Sequence, residues 1–578
     1  MPRIYRMKLL SLMVLLVTGI NFGCSLSPEV NRTDHVQAVV STHHLATEAG
    51  IKILDMGGTA ADAAVAVASV LSVVEPYFSS VLGGGTWALY YDAKSRTVSS
   101  LDGVGPVGSL ATVDDYKHRA LEYGMHQAVV PGAWDGWMLW LKTYGVLDLD
   151  VVLEPAILIA RNGYPVNGQM NGWLQRFERV IGERPDAKKI YMPDGEILQR
   201  GEIVYQIDMA NTLEKLTEVY LDNQVNGRNQ SIDAVRDYYY RGPLAEEMVH
   251  FSDLHDGYLT LADFNGFSAE IVPPISIQYN QEIQVFENPP NSQGITMLLA
   301  LNILKGYEFA NMQIDSPDCI HLQVEALKLA FADRYHYIGD PKIKAIPIDM
   351  LLSDRYADNQ RARIQPESVM VWPIDGGLDY EPDLNNTTTF HIVDRHGNAA
   401  AVTTSLGAEF CVVGTTGIHI NNRMRMISLT DVKPNLLTPG KKVRHTSNPY
   451  LALKNGSLYL LGGNTGADNQ SQCQVQQFLA VVEFGKTAQQ AVSQPRFTTM
   501  AFPAGTFPYQ VRNVLAMHQD FPQSTITALQ SIGHAIVADG TFGNAGMIVI
   551  SDNGYQGETG AEPSVDTALG VVWMPVSN

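Results

Sequence analysis

Helical and strand patterns of apolar spacing alternate along most of this chain. Leu45, Ala46, Ala49, Ile51, Ile53 and Leu54 recur at helical spacing, Gly57-Gly58 breaks the run, and the Ala-rich stretch Ala60 to Val74 resumes it. This predicts two core helices joined by a glycine turn, the second of them tightly packed because its side chains are small. After Glu75-Pro76, the segment Ser79-Ser80-Val81-Leu82-Gly83-Gly84-Gly85-Thr86-Trp87 runs into the strand pattern Ala88-Leu89-Tyr90-Tyr91. Pro131-Gly132-Ala133-Trp134 opens a further helix and Gly163-Tyr164-Pro165-Val166 closes another. The turn signal Asp256-Gly257 precedes a strand-like Tyr258-Leu259-Thr260-Leu261, and residues 318–334 carry apolar positions at three and four, an amphipathic helix. A polar tract from Asp375 to Asn386 separates two strand-bearing blocks and is the one internal boundary. Beyond it Thr387-Thr388-Thr389-Phe390-His391-Ile392-Val393 and Ala399 to Leu406 read as strands around Gly397-Asn398. There is no repeat and no low-complexity tract.

The N-terminus departs from this alternation. Arg3, Arg6 and Lys8 precede an apolar run, Leu9 to Val17, too short to cross a bilayer, so residues 1–23 read as an export signal. Gly23-Cys24 suggests a bacterial lipoprotein signal with Cys24 as the lipidated first residue, against ordinary cleavage as the alternative. Either way the expected location is the periplasm or a membrane anchor. The length, 578 residues with 45% hydrophobic content, suffices for a large multi-layer core. A formal charge of -20 argues against nucleic acid or an anionic membrane surface as the main partner and favours small molecules.

Candidate chemistry narrows quickly. Gly83-Gly84-Gly85 is followed by a strand rather than a helix, so it is no phosphate cradle; the glycines instead permit close backbone approach beneath a site. Cys319, Cys411 and Cys473 lack metal spacing and form no disulfide framework, although one pairing stays open. His250, Asp253, His255 and Asp256 look like a turn rather than a metal loop, and His321 and His336 read as structural. No metal or cofactor is implied. The threonine run is different: a Thr opening a strand becomes a nucleophile when the peptide bond before it is cut, because its freed α-amine, with a pKa of about 8, can serve as base.

These residues, taken together, resemble the gamma-glutamyltransferase family of self-cleaving N-terminal-nucleophile hydrolases. The resemblance rests on Gly57-Gly58-Thr59-Ala60-Ala61-Asp62-Ala63-Ala64, Val73-Val74-Glu75-Pro76, Gly83-Gly84-Gly85, Val130-Pro131-Gly132, Leu329-Ala330-Phe331-Ala332-Asp333-Arg334 with Gly339-Asp340-Pro341, and Thr387-Thr388 leading to Val393-Asp394 and Gly397-Asn398. It implies an α+β fold, the four-layer αββα sandwich, with autocleavage between Asn386 and Thr387. The products would be a large chain, 24–386, and a small chain, 387–578, intertwined as a heterodimer. Thr388 is the alternative nucleophile. By the same resemblance Ser405, eighteen residues on, supplies a second hydroxyl where the family has threonine. Backbone N–H groups of Gly466 and Ala467 would form the oxyanion hole.

Departures from the family fall where a γ-glutamyl group would be held. The carboxylate-gripping arginine is replaced in Asp102-Gly103-Val104-Gly105, the acids after Asn421-Asn422 become Arg423-Met424-Arg425-Met426, and the serine pair becomes His445-Thr446. Arg423, Ser428-Leu429, Pro434-Asn435, Pro439-Gly440-Lys441 and His445-Thr446 resemble the divergent branch that includes oxamate amidohydrolase-like enzymes. The expected substrate is therefore an amide bearing a carboxylate, bound by Arg423, His445 and Thr446. A true gamma-glutamyltransferase or glutathione hydrolase is the alternative, and a non-catalytic binding protein on a decayed enzyme fold is the second. The segment between Met426 and Lys441 is short for a glutathione-acting member, which implies an open pocket.

Overall fold

The computed structural model describes residues 37–372, 387–407, 409–429, 434–540, 542–551 and 554–560. Twelve strands build two sheets: β1 (Ala38–Val40), β2 (Gly85–Asp92), β3 (Thr97–Gly103), β4 (Glu270–Val272), β5 (Ile275–Gln278), β6 (Ile283–Glu287), β7 (Thr387–Val393), β8 (Ala399–Ser405), β9 (Tyr450–Lys454), β10 (Ser457–Asn464), β11 (Ala545–Ser551) and β12 (Gly554–Gly560). One sheet has the order β1-β7-β8-β2-β3-β4 and the other β12-β11-β10-β9-β6-β5, with every neighbouring pair antiparallel.

Alternation along the strands divides the core into layers. Val40, Leu89, Tyr91, Val393 and Ala401 of the first sheet meet Leu451, Leu453, Leu461 and Ile548 of the second, a dry seam between the sheets. The opposite face of the first sheet, with Tyr90, Leu101, Phe390, Ile392 and Val402, packs on α1 (His44–Asp55), α2 (Ala60–Val74), α3 (Ala133–Tyr144) and α4 (Leu149–Asn162). The outer face of the second sheet, with Ile277, Val285, Tyr450 and Leu460, is covered by α5 (Ile295–Leu304), α6 (Pro317–Tyr337) and α7 (Asn469–Val482). The result is the expected α+β arrangement, helix, sheet, sheet, helix.

Local sequence explains these elements. Helix α2 is buried on every side, which its Ala, Ser and Val content allows, and Ser69 and Ser72 return their hydroxyls to the carbonyls one turn back, each at 2.7 Å. Thr59 and Asp62 form a capping box at its start, and Asp62 also accepts the Val146 N–H at 3.0 Å. The glycines at 83 and 84 are required by space: a Cβ would lie 1.9 Å from the His419 carbonyl oxygen at Gly83 and 2.6 Å from that of Ser80 at Gly84.

Four expectations change. Residues Tyr258–Leu261 are not a strand, because Thr260 caps the short helix Leu261–Asn265 through a box with Asp263. Helix α6 is not amphipathic; Cys319 to Phe331 are all buried, and its polar positions are neutralised by partners such as Glu325 to Lys328 at 2.6 Å. The three described cysteines are buried and no disulfide forms among them. The tract 375–386 lies outside the described residues, and the two strand-bearing blocks on either side of it are not separate, because their described strands interleave in one sheet. Residues 1–23, Cys24 and Asn386 also lie outside the described residues. No described helix is long and apolar enough to cross a membrane.

Candidate active site

The eighteen-residue spacing from Thr387 to Ser405 is a hairpin. Strands β7 and β8 pair in register from Val393 opposite Ala399 to Thr387 opposite Ser405, and Ser405 in turn faces Gly85 on β2. The turn is built by Asp394, whose Oδ1 accepts the N–H groups of His396 at 2.8 Å and Asn398 at 3.0 Å, while Gly397 takes a positive φ of 79°. Asp394 Oδ2 also accepts the Ala60 N–H at 3.0 Å, which ties the hairpin to the start of α2. The Val-Asp and Gly-Asn motifs thus set the register that brings the two hydroxyls together at the far end.

There Thr387 Oγ1 lies 3.2 Å from Ser405 Oγ and accepts Gln470 Nε2–H at 3.3 Å. Thr388, on the opposite side of the pleat, turns away: its hydroxyl meets Thr42 Oγ1 at 2.8 Å beside the buried Glu75. Glu75 accepts from Thr42 at 2.9 Å, and burial pushes its carboxyl up to about 7 despite the two threonine hydroxyls. Only Thr387, of these two threonines, faces the second hydroxyl.

Gln470 stands in the first turn of α7, directly after Gly466-Ala467-Asp468. Gly466 and Ala467 hold φ of 93° and 48°, and among the described residues neither N–H bonds to another protein group. Ala467 in this region costs about 1 kcal/mol over glycine. Support comes from residues to which the sequence assigns no role. Arg334 of α6 pairs with Asp468 and donates to Gln293 Oε1 at 2.8 Å, and Gln293 Nε2 holds the carbonyls of Ala467 at 3.1 Å and Thr446 at 3.0 Å. Arg334 lies in a motif; Gln470, Gln293 and Asp468 give no signal, because their function is contact across sequence.

The predicted binding residues divide. Arg423 is buried, donates from Nη1 to Ser405 Oγ at 2.7 Å and from Nη2 to Asn422 Oδ1 at 2.7 Å, so it belongs to the surroundings of the Thr387 and Ser405 hydroxyls. His445 Nδ1 accepts the Ser447 N–H at 3.3 Å, which leaves Nε2 carrying the proton. Burial, then Arg423, holds its pKa well below the usual histidine range, so the ring is neutral. Among the described residues its Nε2 has no partner, and it lies 3.4 Å from where a Gly85 Cβ would stand, in the row of Thr387 and Ser405. Thr446 Oγ1 reaches only Met426 Sδ, at 4.0 Å, and that sulfur is also 4.0 Å from Arg423 Nη1. At Val104 the lost arginine is not replaced in place; Asp102 instead pairs with Lys442 at 2.8 Å.

One histidine and carboxylate group gathers outside this site: atoms of His321, Glu325 and His534 lie within 4.8 Å of one another. They are committed to each other and to protein. His321 Nδ1 meets His534 Nε2 at 2.9 Å, His321 Nε2 meets the Gln365 carbonyl at 2.8 Å, and Glu325 binds Lys328 and, at 2.8 Å, the Met370 N–H. A lysine ammonium in the cluster competes with any cation.

A gamma-glutamyltranspeptidase family profile matches residues 46–569 of this chain. The chain belongs to the gamma-glutamyltranspeptidase family. The family's sequence relatives include the glutathione hydrolase-like YwrD proenzyme of Bacillus subtilis (strain 168), 33% identical over 92% of this chain and 98% of that protein. The oxamate amidohydrolase proenzyme of Klebsiella pneumoniae is 29% identical over 91% of this chain and 96% of that one. Among solved gamma-glutamyltranspeptidase-like structures, cephalosporin acylase from Bacillus halodurans superposes with a TM-score of 0.80 at 30% identity, covering 96% of this chain and 99% of that chain. This gamma-glutamyltranspeptidase family member is thus an enzyme of the N-terminal-nucleophile class, and its relatives span several amide substrates.

Proposed function

We propose that this enzyme is exported through residues 1–23, with Cys24 as a lipid anchor point, cuts itself between Asn386 and Thr387, and hydrolyses amides whose acyl group carries a carboxylate. The observation that carries this reading is Thr387 Oγ1 in contact with both Ser405 Oγ and Gln470 Nε2, with Gln470 opening the helix that follows the Gly466-Ala467 turn, whose two N–H groups no described protein group takes. Processing needs no reagent but water. Thr387 Oγ1 attacks the Asn386 carbonyl carbon, its proton passes to the departing nitrogen, and the C–N bond breaks to leave an ester. Water then cleaves the ester, releasing the Asn386 carboxylate and restoring the hydroxyl beside a free α-amine. In turnover that α-amine takes the hydroxyl proton as the oxygen attacks the substrate amide carbon, it then gives the proton to the substrate's amide nitrogen as that C–N bond breaks and the substrate amine leaves, and water hydrolyses the resulting Thr387 ester to free the acid. Gly466 and Ala467 N–H groups stabilise the oxyanion in both reactions; loss of one such donor typically costs 10²–10³ in rate.

Specificity follows from charge. A γ-glutamyl ammonium would meet Met426 and the Arg423 guanidinium where the family offers acids, a mismatch of about 3 kcal/mol or more when desolvated. A neutral His445 N–H and nearby cations suit an anion instead. Glutaryl-p-nitroanilide and γ-glutamyl-p-nitroanilide differ only by the α-amino group, so they isolate this term. The expected kcat/KM favours the glutaryl compound by at least about tenfold. Preference for the γ-glutamyl compound would instead establish the glutathione hydrolase reading, and no turnover of either by a processed enzyme would defeat both.

A further inference from the structure

Two buried arginines flank the candidate active site, and they are in different states. Arg423 has hydrogen-bond acceptors on both terminal nitrogens, Ser405 and Asn422. Arg444 is 5% exposed, and among the described residues no hydrogen-bond or ion-pair partner serves its guanidinium; only its backbone N–H is used, by Asn435 Oδ1 at 2.7 Å. We infer that Arg444, rather than Arg423, receives the carboxylate of the substrate acyl group, and that Arg423 positions the Ser405 hydroxyl. The inference rests on the anionic-amide reading above and assigns its anchor.

The backbone around Arg444 is held firmly. The His445 N–H donates to the Asn291 carbonyl at 2.8 Å and the Gln293 N–H returns to the His445 carbonyl at 2.9 Å, so the segment runs beside the residues that support the oxyanion turn. His445 faces Gly85 in the Thr387 row, while Arg444 feels Asp468, the residue after that turn. Asp468 does not discharge it. One carboxylate oxygen is paired with Arg334 and the other accepts the Gly505 N–H at 2.6 Å. Burial, then repulsion from Arg334, pulls the Arg444 guanidinium down to about 9, and the same cation helps hold the neighbouring Lys441 down to about 8 after burial.

A guanidinium taken out of water without acceptors is costly, and an incoming carboxylate supplies them in a geometry its fork matches. The contrast with the rest of the molecule is electrostatic: a chain of formal charge -20 gathers Arg334, Lys441 and Arg444 here, with Asp468 taken by Arg334 and Gly505 and with Asp340, which acts on Lys441, accepting the N–H groups of Lys342 and Lys442. A monoamide of a dicarboxylic acid fits such a pocket, with its amide carbon at Thr387 and its free carboxylate on Arg444. A ligand with a cationic head is repelled.

The test uses the processed enzyme and its Arg444→Gln, Arg444→Lys and Arg423→Gln variants, with two chains on a denaturing gel reporting correct folding. Arg444→Gln should raise KM for glutaryl-p-nitroanilide about tenfold or more while kcat falls less than about threefold, and Arg444→Lys should recover part of the loss. Glutarate affinity by calorimetry, which needs no turnover, should weaken at least about tenfold in Arg444→Gln. Arg423→Gln should slow processing and kcat with a smaller change in KM. Glutarate affinity and KM both within twofold of wild type in Arg444→Gln would overturn the assignment. Glutarate bound through Arg444 by an enzyme that cleaves no anilide would instead defeat the amidohydrolase reading and leave the anchor standing.

Discussion

The two faces of strand Thr387–Val393 put the same residue type to different uses. On one face Thr387 meets a second hydroxyl and an amide donor; on the other Thr388 closes a buried network with Thr42 and Glu75 among the helices. Both threonines are fully buried and adjacent in sequence. What separates them is the pleat, which sends successive side chains to opposite sides. Which threonine faces the second hydroxyl is thus a property of register, and the hairpin centred on the Asp394 turn fixes that register.

This contrast can be broken by mutation. Thr387→Ala should leave one uncut chain and lower amidase activity by at least about 10³-fold, seen on gels and in anilide assays, because nucleophile and base disappear together. Normal processing in that variant would move the nucleophile to Thr388. On the helix side the expected effect is on stability and its pH dependence. Glu75 has a folded pKa raised from 4.5 to about 7, chiefly by burial. The protonated carboxyl is therefore the form the fold favours: its contribution is fully present below about pH 4.5 and is lost as pH rises through 7, about 3 kcal/mol in all. Denaturant titrations of Glu75→Gln at pH 5 and 8 should show that decline removed; an unchanged decline would mean that Glu75 is ionised at no cost.

Smaller effects sharpen the picture. Ser405→Ala should slow processing and turnover about tenfold while the chain still folds, since a hydroxyl is lost but little volume changes. An unaltered rate would reduce Ser405 to a strand residue. Thr388→Val keeps shape and removes only the hydrogen bonds to the helix layer, so it should cost about 1 kcal/mol of stability with activity within about threefold. A severe loss of processing there would erase the distinction between the faces.

Much of this architecture is legible in the sequence. The strand around Thr387, the paired helices of 44–74 and the glycines at 83–85 announce themselves through periodicity, capping and turn chemistry, which are local. Ser405 is singled out by the resemblance alone, and the hairpin register is what gives its spacing a physical reason. Gln470, Gln293 and Asp468 are not readable, since each acts by reaching a residue far away in sequence. Helix α6 misleads because burial of its polar side is settled by partners such as the Glu325–Lys328 pair, which an apolar-spacing rule does not weigh. Tyr258–Leu261 misleads because a four-residue apolar run hides the Thr260 and Asp263 cap within and after it. Arg423 stands out in the sequence as a charge, and its bond to Ser405 is the contact that the sequence does not show.

Intact-mass and N-terminal sequencing of the purified wild-type protein tests the central claim most directly. Two chains should co-purify, the smaller beginning at Thr387, with a new α-amine on the residue that faces Ser405. A single uncut chain, or a small chain beginning at Thr388, would contradict it.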